Sequence, residues 1–95
     1  MALTERFEND KIEVVGTYKA VQVRRADIIE KDGVEVARSF HRHSLQPGTL
    51  GESDALVDTD ISGEDADVQA ICNAVWTDAV KEAWRRKLVA DAAAT

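Results

Sequence analysis

One cysteine and one proline in 95 residues leave this chain with little to staple or break it. The lone Cys72 excludes an internal disulfide framework and a multi-cysteine zinc site, and it suits a buried thiol in a reducing compartment or one where redox state does not matter. Positive charge is in deficit as well. Twelve Lys and Arg stand against 18 Asp and Glu, a net charge of -6, which is the wrong sign for a protein whose task is to neutralise phosphates. No stretch approaches the ~20 apolar residues that span a bilayer. The first residues carry Glu5, Arg6, Glu8 and Asp10 where an apolar leader core would lie, so neither a membrane partner nor an export signal is expected. Nothing forms a nucleophile, base and orienter set, a phosphate-cradling loop, or paired carboxylates on rigid elements. The expectation is a protein that is not an enzyme, with no cofactor and no metal.

Patterning, by contrast, is plentiful. With 44% apolar residues the chain can bury one small core, a single domain over residues 1–95 that is only marginally stable without a partner chain. Residues 11–45 alternate and are punctuated by two turn signals. In the first strand Ile12 and Val14 share a face, and Gly16-Thr17 reads as a two-residue turn that sets Ile12 opposite Val21 and Val14 opposite Lys19. The second strand puts Val21, Val23 and Ile29 on that face. Asp32-Gly33 is the strongest hairpin signal in the chain and opposes Lys31 with Val34. Carried inward, this register pairs Ile29 with Val36, Asp27 with Arg38, Arg25 with Phe40 and Val23 with Arg42, and it brings Arg24 opposite His41.

A second strand of roughly 14 residues is about 45 Å long, while a compact domain of this size is about 30 Å across. Either a bulge bends the hairpin, at Arg24-Arg25-Ala26 where the alternation lapses, or its outer part packs on another chain. After Gln46-Pro47-Gly48 a linker over residues 47–60 has no clear period. Two helices, or one kinked helix, follow at about residues 63–92. Ser62 is the expected N-cap of the first, with Val68, Ile71, Cys72 and Val75 on one stripe. Thr77 is the expected N-cap of the second, with Val80, Ala83, Trp84 and Leu88 inward and Lys81, Arg85, Arg86 and Lys87 outward. The fold class is therefore α+β: a three-stranded antiparallel meander over about residues 10–46, with C-terminal helices packed on one face.

Asp58-x-Asp60-x-Ser62-Gly63 has the opening of a calcium loop, but Gln69 stands where the closing Glu is needed, and a helix cap explains the same residues. His41-x-His43 has a zinc-chelating spacing on one side of a strand, yet no third ligand is evident, which disfavours a small metal-dependent enzyme. Arg24, Arg25, Arg42, His41 and His43, with Phe40 among them, form the basic part of the sheet and are the candidate interface residues. An acidic surface on a partner, or on another copy of this acidic chain, is the fitting contact, and nucleic acid is not. Trp76 and Trp84, at helical spacing, read as core, with one partly exposed as the alternative.

Three segments carry a resemblance. The first is Lys11-Ile12-Glu13-Val14-Val15-Gly16 with Tyr18-Lys19 and Val21-Gln22-Val23-Arg24. The second is Asp32-Gly33-Val34-Glu35 with Arg38-Ser39-Phe40-His41-Arg42-His43. The third runs from Asp60-Ile61-Ser62-Gly63-Glu64-Asp65-Ala66 through Val68-Gln69-Ala70-Ile71-Cys72-Asn73-Ala74-Val75-Trp76-Thr77. Together they resemble small proteins of unassigned activity encoded by marine tailed bacteriophages, cyanophages among them. The resemblance implies a viral protein located in the virion or the host cytoplasm, a minor virion component that binds itself or other phage structural proteins. The alternative is a non-virion accessory protein that binds a host protein.

Overall fold

The computed structural model describes residues 2–94; Met1 and Thr95 lie outside it. Three long strands, β1 (Leu3–Val15), β2 (Ala20–Lys31) and β3 (Val34–Leu45), form an antiparallel sheet in the order β1-β2-β3. A small hairpin follows, β4 (Gly48–Leu50) and β5 (Leu56–Asp58), then helices α1 (Ala66–Val75) and α2 (Asp78–Ala93). The architecture is the α+β meander with two C-terminal helices.

The Asp32-Gly33 turn forms where its residues demand it. Both take positive φ, 52° and 83°, and Lys31 faces Val34. The first turn differs from expectation. The strands close through four residues, 16–19, with Lys19 N–H donating to the Gly16 carbonyl at 3.3 Å. Ile12 therefore faces Val23, and Val14 faces Val21. The slip is two residues, so the face assignment survives it. The longer loop lets Tyr18 lie against Trp84, ring centroids 5.3 Å apart, and turns the Lys19 carbonyl to accept from Trp76 Nε1 at 2.7 Å.

Two bulges correct the rest of the register. On β1 the pairing shifts between Asn9 and Lys11, so Asp10 is the extra residue, opposite the Arg24-Arg25 step where a bend was expected on β2. On β3 the shift falls at Val36, between the pairs Glu30–Glu35 and Ile29–Ala37. Beyond it Ile28 faces Arg38, Asp27 faces Ser39, Ala26 faces Phe40, Arg25 faces His41, Arg24 faces Arg42 and Val23 faces His43. A one-residue slip moves every side chain to the other face, so Phe40 lies on the side opposite Val23. The expected pairs of Asp27 with Arg38 and Arg25 with Phe40 do not form.

The core lies at one end of the sheet. Val21 and Val23 are buried against Val68, Cys72 and Trp76, with Ile12, Leu45, Ile61, Ile71, Val75 and Val80 packed around them. Burial raises the pKa of the Cys72 thiol. Val68, Ile71, Cys72 and Val75 form the expected stripe on α1, which starts later than expected: Asp65 is its N-cap, and Ser62 N–H is instead held by Asp60 Oδ1 at 2.9 Å in a turn before the helix. Thr77 caps α2 as expected, its Oγ1 accepting from Val80 N–H at 3.2 Å, and the C-cap of α1 at Trp76 separates the two helices. Ala83 is exposed rather than inward.

The stretch expected as a linker is ordered by the β4–β5 hairpin, closed by one helical turn over Glu52–Asp54. Gly48 is buried there, and its carbonyl accepts from Trp84 Nε1 at 2.8 Å, which anchors α2. The result is elongated, 59 × 27 × 22 Å with a radius of gyration of 17.6 Å. A compact chain of this length would have about 12 Å. The long hairpin, joined by the full length of β1, projects beyond the helices as an arm.

Candidate functional site

The arm begins where the helices stop. On β2 the buried side chains change face along the strand. Val21 and Val23 point to the helices, whereas Ala26 and Ile28 are fully buried on the opposite face. Among the described residues no helix covers that second face. In register, Arg6 and Arg38 flank Ile28, and Glu8 and Phe40 flank Ala26. The stems of Arg6, Arg38 and Glu8 flank the apolar pair, and the Glu8 carboxylate meets both guanidinium groups. Arg24 donates to both Asp10 oxygens at 2.9 and 2.8 Å and lies over the Phe40 ring at 4.4 Å. Arg38 reaches Glu35 at 2.7 Å, Glu8 at 3.6 Å and Asp10 at 3.7 Å, and Arg6 pairs with Glu30 and Glu8.

These contacts set the titration of the network. The Arg24 guanidinium, bonded to the Asp10 carboxylate and assisted by Arg38, holds the Asp10 pKa below its ordinary value, and Arg38 does the same to Glu35.

The helix-side face of the arm is different. Arg25 donates to Asp27 at 2.9 Å and sits over Phe7 at 5.0 Å; His41 Nε2 lies 2.9 Å from the other oxygen of Asp27. His43 Nε2 lies 2.8 Å from Glu64, and Asn9 Nδ2 donates to Asp65 at 2.7 Å, so both ends of this step tie the arm to the start of α1. Beyond these ties the face carries exposed apolar side chains: Leu3 is 65% exposed, Phe7 57% and Ile29 39%. Val34, at the tip, is exposed as well.

The six residues singled out by the sequence thus fall at one cross-section of the sheet but on two faces. Arg24, Phe40 and Arg42 occupy one, and Arg25, His41 and His43 the other. They do not make a free basic patch, because Arg24 and Arg25 each hold a carboxylate and each imidazole faces its own. Arg42 has no ion pair among the described residues and borders a shallow depression of about 450 Å³ with Lys11, Glu13, Gln22, Arg24 and Ser44.

His41 and His43 share a face but not a carboxylate, and no group of three His, Cys, Asp or Glu able to hold a metal occurs among the described residues. The calcium-like segment is likewise committed to other partners: Asp58 pairs with Lys81 at 3.3 Å and Asp60 holds Ser62 N–H. Among the described residues, no helix is long and apolar enough to cross a membrane.

Residues 3–9 of β1 carry no strand signal in the sequence. Glu5, Glu8, Asn9 and Asp10 are poor strand formers, and the bulge breaks their alternation. The available signal was length, since a second strand of this reach leaves its outer half without a partner on one side unless the N-terminal residues supply it.

Comparison with protein-family models, with curated proteins and with solved structures finds no match.

Proposed function

We propose that this chain is a structural or interaction module of a tailed bacteriophage, a minor virion component that self-associates or docks on a larger assembly through the sheet arm. The observation that carries the reading is the arm. It presents two open strand edges and the exposed side chains of Leu3, Phe7, Ile29 and Val34, beyond a core built from the other end of the same strands. Open edges offer unpaired backbone donors and acceptors, and uncovered apolar side chains lose contact with water when another chain lies on them. The phage setting comes from the resemblance of the three segments quoted above.

The reading is of a non-enzymatic protein in the virion or the host cytoplasm, whose partners are copies of itself or other phage structural proteins. The chain's negative charge disfavours nucleic acid. Mass spectrometry of purified virions is the test. The expected result is recovery of the chain at a fixed ratio to known structural subunits. Recovery only from infected-cell lysate, in complex with a host protein, would replace this reading with that of an accessory protein.

A further inference from the structure

The two open edges of the arm are not equivalent. β3 carries Arg38, His41, Arg42 and His43 against the single carboxylate of Glu35, so it has few unlike charges of its own to offer a second copy of itself. β1 mixes both signs within its outer half, Leu3-Thr4-Glu5-Arg6-Phe7-Glu8-Asn9, and every side chain from residue 3 to residue 8 is exposed. Among the described residues this strand pairs on one side only, with β2.

An antiparallel join of two identical edges has its two-fold axis normal to the sheet, which keeps each face on its own side. Directly opposed residues then belong to the same face, so the axis must pass through a residue. The possible centres can be compared. An axis at Glu5 or Glu8 sets that carboxylate against its own copy, and one at Arg6 sets guanidinium against guanidinium. At Asn9 it sets Glu8 against Asp10. Through Phe7 the axis brings Arg6 opposite Glu8 twice, the two Phe7 rings side by side, and Glu5 opposite the amide of Asn9. Of the centres within this outer half, only Phe7 opposes unlike charges and no like ones. The Asp10 bulge ends the flat segment just past it, which limits slippage toward the core.

We propose that the β1 edge is a homodimer seam, with β1 of one copy pairing antiparallel with β1 of a second about an axis through Phe7. The seam rests on the reading of the arm as a docking surface and names a second copy of this chain as its occupant. It joins both sheets into one, with the helices of both copies on the same side and the exposed Phe7 side chains covering each other. The Arg6 guanidinium, which pairs with Glu30 and Glu8 of its own chain, gains a third carboxylate across the axis.

Sedimentation velocity over a range of protein concentrations, with the wild-type chain and charge-reversal variants, tests this. The wild type is expected to pass from monomer to dimer and to stop there. Arg6→Glu alone and Glu8→Arg alone each set like charges opposite one another twice and should weaken the dimer about tenfold or more. The double variant Arg6→Glu/Glu8→Arg restores the unlike pairs across the seam, although it sets like charges against Glu30 and Arg38 within each chain, and should dimerise more tightly than either single variant. Thermal melts accompany each variant, and either single variant that folds suffices for the comparison.

A wild type that remains monomeric, single variants that dimerise like the wild type, or a double variant that stays as weak as the singles would overturn the seam. So would an open ladder of larger species, the signature of β1 joining β3 head to tail. A monomeric pure protein that is nonetheless recovered from virions removes the seam and leaves the docking role. The charge-reversal pattern in a protein absent from virions does the converse.

Discussion

Gly48 sits where no side chain fits. A Cβ there would meet the Val57 carbonyl oxygen at 2.5 Å and Leu56 Cγ at 3.0 Å, and backbone cannot yield as a flexible side-chain end can. Gly48→Ala should therefore cost about 1–3 kcal/mol by overpacking, read as a drop in thermal midpoint. Gly33 is constrained differently. Open space surrounds it, but its φ of 83° strains any L side chain, and Gly33→Val should cost about 1–2 kcal/mol. Gly63 has neither constraint, so Gly63→Ala is the control expected to melt with the wild type. Equal melting of all four proteins would show that neither Gly33 nor Gly48 is constrained in this way. Only the Gly33 constraint could be read before the structure, because Asp-Gly between alternating strands specifies its own turn. The demand at Gly48 comes from residues eight and nine positions later and leaves no local sign.

At the scale of elements, the ends of the helices explain the acidic segment before α1 without a cation. Asp60 caps its own turn, Asp58 meets Lys81, and Gln69 Nε2 donates to the Glu64 carbonyl at 2.7 Å. Millimolar Ca²⁺ should leave the melting temperature unchanged, and a saturable rise would show that these oxygens are free to bind it. The Thr77 cap, by contrast, should cost about 1 kcal/mol when replaced by Ala. The legible elements were those with sustained period or strong punctuation: the Val68–Cys72 stripe, the Thr77 cap, the second turn. The β4–β5 hairpin was not legible, since three-residue strands carry no period to detect. The β3 register failed for a related reason. Val36 looks like one more apolar step of an alternating strand, and nothing local marks it as the bulged residue that turns Phe40 to the far face.

At the scale of the whole molecule, a packed body carries an arm held by two kinds of force. The body is apolar, and the arm's outer face is a set of exposed ion pairs over Ala26 and Ile28. Its pH dependence follows from Asp10 and Glu35, whose pKa values are lowered in the folded chain. Groups depressed in this way contribute stability that is present above their ordinary pKa values and lost as pH falls through the lower folded values. Faster amide exchange at Ala26 and Ile28, relative to Val68 and Cys72 and corrected for intrinsic rates, is expected as pH falls below about 4. No relative change would show that the network does not hold the arm. Salt should weaken the same contacts, because exposed pairs are screened.

On the proposed function, the arm, and not the helical body, meets other chains in the particle. Lysines mark both regions, Lys11 and Lys31 on the arm strands and Lys81 and Lys87 on α2. Cross-linking mass spectrometry of purified virions with an amine-reactive linker reads them directly. Inter-chain links from Lys11 and Lys31 are expected. Links confined to Lys81 and Lys87, or a particle that lacks the chain, would contradict the proposed function.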